Sequence, residues 1–123
     1  MSVVLNHAFV ALSSLQLARQ IRFYSELLQM EPTVETHSYA EFRLAGLQIA
    51  IFVPKADNAD EFKADSSGAM SLCLEVADLE AAIAHLKNIG HPPSGDIMQT
   101  SHGQEIYAYD PDGNRLILHQ SPS

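Results

Sequence analysis

Twice along this chain an extended segment is followed by an amphipathic helix and then by three more extended segments, and that repeated order restricts the fold more than any other feature. In the first pass Val3–Leu12 is rich in β-branched and aromatic residues and reads as a strand. Ser13 with Gln16 three residues on has the capping-box pattern, in which each side chain satisfies a free backbone donor at a helix start. Leu17, Ile21, Tyr24 and Leu28 then recur at helical spacing as one apolar stripe, leaving Arg19, Arg22 and Glu26 for water. Pro32 disfavours continuation. Strands are predicted over Thr33–His37, Tyr39–Leu44 and Leu47–Pro54, the last two joined by a tight turn at Ala45-Gly46.

Residues 57–67 are polar and charged, with serines near their end, and read as a linker. The order then repeats. Met70–Val76 is the strand, Asp78 the N-cap, and Leu79, Ala82, Ile83, Leu86 and Ile89 the helical stripe, stopped by Gly90 and Pro92-Pro93. Strands follow at about Ile97–Thr100, Glu105–Asp110 and Arg115–Gln120, with Asp110-Pro111-Asp112-Gly113 as the turn between the last two. The expected fold is therefore α+β: tandem βαβββ modules at 1–56 and 68–123, related by a pseudo-twofold axis and packed as one compact domain.

Composition narrows the function. With 46% hydrophobic residues in 123, the chain can bury a real core. Seven basic residues against fifteen acidic ones give a formal charge of -8, and no Lys/Arg cluster interrupts it, so a nucleic-acid partner is not expected. The one cysteine, Cys73, excludes an internal disulfide and, in its apolar run, reads as a buried, inert thiol. No apolar run is long enough to span a membrane, and Met1–Asn6 lacks the pattern of a signal peptide, so a cytoplasmic location is expected. Gly-rich phosphate loops, nucleophile elbows and paired-cysteine motifs are all missing.

Four stretches carry a family resemblance. They are Asn6-His7-Ala8 in the first strand, Phe23-Tyr24-Ser25-Glu26-Leu27-Leu28-Gln29-Met30 at the helix end, Ser71 to Asp78 at the second strand-to-helix passage, and Asp110-Pro111-Asp112-Gly113-Asn114. In this order they resemble the vicinal oxygen chelate superfamily, which includes glyoxalase I, fosfomycin- and bleomycin-resistance proteins and extradiol dioxygenases. Glutamine stands at 29 where glycine is common in that family. The resemblance implies that each module curls its sheet into half a cup, that the helices lie outside, and that the paired cups enclose a pocket. It also implies that metal-dependent members take one ligand from the first and one from the last strand of each module. Such a metal holds both oxygens of a substrate and stabilises charge developing on them.

Carried over residue by residue, that ligand set is mostly lost. His7 matches the first-strand histidine. The first-module carboxylate falls near Ile49 or Ala50, within a stretch, Leu44–Val53, that has no Asp, Glu or His. The second histidine falls on Ser71 and the last glutamate on Ile117. Similarity to the fosfomycin-resistance pattern puts Glu105 and Tyr107 on the cavity face, and strand alternation adds His119, two residues beyond Ile117. His37, His85, His91 and His102 show no metal-ligand spacing.

The expectation is a protein without a metal or other cofactor, using His7, Phe52, Ser71, Glu105, Tyr107, Ile117 and His119, with Cys73 beside them, to bind a small molecule. It resembles the bleomycin-resistance branch, which sequesters its ligand without chemistry, and a homodimer is implied. The alternative is a lyase, isomerase or dioxygenase, metal-dependent through a rearranged site or metal-free, with His7 or Glu105 as base. A third reading is a structural or regulatory module whose pocket is filled by its own side chains.

Overall fold

A computed structural model describes residues 3–63 and 68–122. The chain divides into two units, Met1–Lys63 and Ala64–Ser123. Each carries one helix and a four-stranded mixed sheet, so the fold is α+β with two βαβββ modules.

In the first unit, strand β1 is Val10–Ser13, helix α1 Leu17–Leu28, and strands β2 to β4 are Val34–Glu35, Tyr39–Leu44 and Leu47–Phe52. The sheet order is β1-β4-β3-β2, with β1 parallel to β4 and the other neighbours antiparallel. The strand read as Val3–Leu12 is thus shorter and later. Val10 pairs with Ile49 and β4 begins only at Leu47, so residues much ahead of Val10 run past the hairpin and have no strand beside them. Val3, Val4 and Leu5 are strongly exposed in consequence. The capping box at Ser13 is also corrected. The ladder holds Ser13 in β1 opposite Phe52, and it is the hydroxyl of Ser14 that accepts from the Gln16 amide at 3.0 Å.

Helix α1 buries Leu17, Gln20, Phe23 and Tyr24, while Ile21 and Leu28 of the expected stripe are half-buried. Phe23 and Tyr24 meet edge to face at 5.1 Å, and Tyr24 lies 6.2 Å from Phe42 of β3, which identifies the sheet face that α1 covers. On that face Ala40, Phe42, Ile49 and Ile51 are all at most 1% exposed. Arg22 and Glu26 pair at 2.8 Å on the wet side. Gln29 ends the helix in the left-handed region, at φ 53 and ψ 48, where glycine meets no Cβ penalty. Of the stretch expected to be a linker, Ala56–Phe62 forms a 3-10 helix; residues 64–67 lie outside the described residues.

In the second unit, β5 is Leu72–Glu75, α2 Leu79–Asn88, and β6 to β8 are Met98–Thr100, Gly103–Tyr109 and Arg115–Gln120. The order β5-β8-β7-β6 repeats that of the first sheet, with β5 and β8 parallel. Asp78 caps α2 by accepting from the Ala81 amide at 3.1 Å, and the side-chain oxygen of Gln120 accepts from Leu79 at 2.7 Å. Ile106, Ala108, Leu116 and Leu118 make the buried face. The turn into β8 is organised by Asp110, 4% exposed. One of its oxygens accepts from the amides of Asp112 and Asn114 at 3.0 and 2.9 Å, and the other accepts from the Asn114 side chain at 2.8 Å. Gly113 follows at φ 88.

Candidate functional site

Strand alternation gives each sheet a second face, turned away from its helix, and the candidates that lie on strands, Phe52, Glu105, Tyr107, Ile117 and His119, fall there. In the first unit this face carries Ala50 and Phe52 of β4 with Glu41 and Tyr39 opposite them on β3. Ile49 is excluded from it, since it pairs with Phe42 on the face that α1 covers; Ala50, though on the far face, is itself only 1% exposed. His7 stands ahead of β1, where it stacks on Phe9 at 5.6 Å and meets the Gln48 side-chain oxygen at 2.9 Å through Nε2. That amide oxygen can only accept, so Nε2 carries the proton and has no lone pair to offer.

Sequence reasoning missed the carboxylate on this face. Glu41 lies directly across from Ala50, one strand over from the β4 position where a carboxylate was sought. The Tyr39 phenol donates to it at 2.7 Å. That bond first, then burial and the carboxylate charge, holds the phenol above its ordinary range. Phe52 in turn meets Phe62, from the 3-10 helix, edge to face at 5.1 Å.

In the second unit the open face has two rows across β5, β8 and β7. One is Cys73, Ile117 and Tyr107; the other is Glu75, His119 and Glu105, with Met98 of β6 beyond. Ser71 stands just ahead of β5, half-buried. Cys73 is exposed, against the expectation of a buried thiol, because the register turns it away from the packed face.

His119 is the best-held group of the set, and its partner was not foreseen. Its Nδ1 lies 2.6 Å from a Glu75 oxygen, and the other Glu75 oxygen accepts from the Ser121 amide at 2.8 Å. These bonds, the histidine's first, hold the Glu75 carboxyl below the ordinary carboxylate range. Because an ionised carboxylate only accepts, Nδ1 carries the proton that joins the two groups. The histidine's Nε2 is buried and has no partner among the described residues. The ring stacks on His102 at 5.0 Å, and a Cβ placed on Gly103 would stand 2.9 Å from Nε2. The nitrogen is thus closed off by protein and is not presented to a ligand.

Glu105 differs: it is half-buried and has no hydrogen bond or ion pair among the described residues, the Tyr107 hydroxyl included. Neither unit has a donor set that fits a divalent metal. Ala50 and Ile117 offer no donor atom, and no three His, Cys, Asp or Glu side chains among the described residues are placed to share an ion. Nor is any helix among those residues long and apolar enough to cross a membrane.

Known proteins match this chain in sequence pattern and in fold. A family model described as the Glyoxalase/Bleomycin resistance protein/Dioxygenase superfamily covers residues 5–118. A glyoxalase-related enzyme of Fulvimarina pelagi is 22% identical, with 96% of this chain and 90% of that one aligned at a TM-score of 0.75. The bleomycin resistance determinant encoded on transposon Tn5 is 20% identical over 97% of this chain and 100% of its own, at 0.66. A lactoylglutathione lyase of Agrobacterium tumefaciens is 16% identical over 95% of each chain, at 0.71. At these identities the structures speak for the fold alone. No curated protein sequence matches.

Proposed function

Because the chain belongs to the glyoxalase, bleomycin resistance protein and dioxygenase superfamily, we propose that it is a binding member of that group, which takes up a small molecule without a metal and without chemistry. The observation that carries this reading is the state of the histidines and of the two donorless positions. His7 Nε2 is engaged by Gln48, His119 Nε2 is closed off against Gly103, and Ala50 and Ile117 cannot ligate. What the open face of the second unit offers instead is an apolar patch of Cys73, Ile117 and Tyr107 beside the unpaired Glu105 carboxylate. That chemistry suits a ligand with an apolar body and a donor or cationic group, and disfavours small anions.

The test is a thermal-shift screen of cationic aromatic compounds against small phosphonates and hydroxy acids, on wild type and Glu105→Gln. A specific ligand at a hundredfold excess over its dissociation constant should add ~2.7 kcal/mol. Binding of the anions alone, or a cation response that Glu105→Gln leaves untouched, rejects the reading. Metal analysis of protein purified without chelator supplies the second arm: near one equivalent of Zn, Ni, Fe or Mn, lost on His7→Ala, also rejects it. We further expect a homodimer, since the apolar segment Val3–Leu5 exposes surface that a second copy can cover; sedimentation at micromolar concentration reads this directly.

The enzyme reading draws on one observation, the unpaired, half-buried Glu105 as a base. It requires turnover that disappears in Glu105→Gln while ligand still binds.

A further inference from the structure

We propose a second recognition point in the first unit: Glu41, Tyr39, Phe52 and Phe62 form an aromatic-and-carboxylate box for the ammonium group of a small organic cation. The proposal rests on the binding reading above; of its residues only Phe52 was expected at a ligand site from the sequence. Tyr39 and Phe52 are cross-strand partners on the face turned away from α1, so their rings start ~5 Å apart at Cβ. Phe62 closes onto Phe52 from the 3-10 helix at 5.1 Å and is 41% exposed, leaving ring surface open to solvent. A ring face attracts a cation through its quadrupole, and several rings around one centre are how proteins recognise alkylated ammonium groups.

The charge is supplied by Glu41. One of its oxygens accepts from the Tyr39 phenol at 2.7 Å, which fixes the carboxylate; the other has no partner among the described residues and can meet a cation. The positive groups nearby do not already occupy the box. Lys63, next to Phe62, is paired with Asp60 at 2.9 Å. Arg43 is exposed, two residues along the same face of β3 from Glu41, and forms no ion pair with it. Ala50, opposite Glu41, brings only a methyl group and no competing charge. An ordinary solvated glutamate is held by water alone, whereas this one is half-buried and fixed by the Tyr39 phenol.

The probe is benzyltrimethylammonium, titrated into isotope-labelled full-length protein and followed by amide chemical shifts, with benzylphosphonate as the anionic control. Shifts should centre on β3, on Phe52 and on Ala56–Phe62. Glu41→Gln should weaken binding roughly tenfold, about 1.4 kcal/mol. Phe62→Ala, at an exposed ring, should weaken it about threefold. Arg43→Gln should tighten it, a direction that a merely structural contribution to the fold would not produce. Glu105→Gln should leave these shifts in place. Shifts confined to β7 and β8 and abolished by Glu105→Gln overturn the box while the binding reading stands. Equal binding of benzylphosphonate, or no response to either probe, overturns both.

Discussion

Adding a single methyl group at Gly103 tests the packing around His119. Gly103 opens β7 at φ 141, a conformation that side chains rarely adopt, and its Cβ would stand 2.2 Å from the Gln120 carbonyl oxygen and 2.9 Å from His119 Nε2. The first contact decides the magnitude. An imidazole can swing by a few tenths of an ångström, but the Gln120 oxygen belongs to β8, whose ladder to β7 runs from Gln104–Gln120 to Tyr109–Arg115. Relief therefore needs the start of β7 to move by about 1 Å, which gives up roughly one ladder hydrogen bond, worth about 1 kcal/mol, and adds backbone strain of about 1–3 kcal/mol. Gly103→Ala should cost about 3 kcal/mol, a large part of the ~5–15 kcal/mol that holds a typical domain together. In a chain of this length that is a fall of about 10 °C in Tm by calorimetry.

Two companions sharpen the result. Gly95→Ala meets nothing within 4 Å and has no left-handed φ, so it should stay within ~0.5 kcal/mol of wild type. The double variant Gly103→Ala with His119→Ala should be no better off than the additive sum of the singles, because trimming the imidazole leaves the backbone contact intact. A Tm unchanged in Gly103→Ala refutes the strand-shift argument; a double variant restored to the level of His119→Ala alone shows that the imidazole was the obstacle.

Glu75 gives an acid-side signature. Its folded carboxyl is held below the ordinary value of 4.5 by His119 and then by Ser121, so its contribution is complete above that value and is lost as pH falls through the lower folded one. The urea midpoints of wild type and Glu75→Gln should therefore differ at pH 6 and converge toward pH 3, and a gap independent of pH contradicts the assignment. At the other end of the helix chemistry, Gln29→Gly should relieve a left-handed residue at φ 53 and gain about 0.5 kcal/mol after the greater freedom of unfolded glycine is counted. Any loss of stability by urea titration shows that the glutamine side chain holds the helix end.

What could be read before folding was whatever is decided within a few residues. The apolar alternation and the two-residue turn fix β3 at Tyr39–Leu44, and Asp110 gathers donors two and four residues away, so its turn is local chemistry. Groups that meet through register stayed hidden. Glu75 and His119 are 44 residues apart and face each other only because Cys73 pairs with Ile117 in a parallel ladder. Glu41 was passed over because the carboxylate was sought along β4, whereas the sheet places it one strand over at the same level. Phe62 lay among Asp60, Glu61 and Lys63, a polar setting that reads as linker; only the 3-10 turn brings its ring back to Phe52. The early start assigned to β1 failed for a related reason, since a strand can be no longer than the neighbour that pairs with it.

The shared register also separates what each face of the sheets is for. Ile49 and Ile51 of β4 hold the ladder positions that Leu116 and Leu118 hold in β8, and Ala40 and Phe42 correspond to Ile106 and Ala108, small and large exchanged. Every one of these is apolar and buried, as packing against a helix demands, and the exchange keeps the filled volume similar. On the open faces the same correspondence sets Tyr39 against Glu105, Glu41 against Tyr107, Phe52 against His119 and Ala50 against Ile117, so acid and phenol swap places and no pair is alike. A face under packing constraint alone has no reason to diverge while its reverse side stays apolar throughout. Released from that packing, the open faces carry different side chains in the two modules, and under the binding reading proposed above each would meet a different part of the ligand. Glu41→Gln and Glu105→Gln should accordingly impair different parts of ligand recognition, and identical ligand profiles for the two variants would contradict that division.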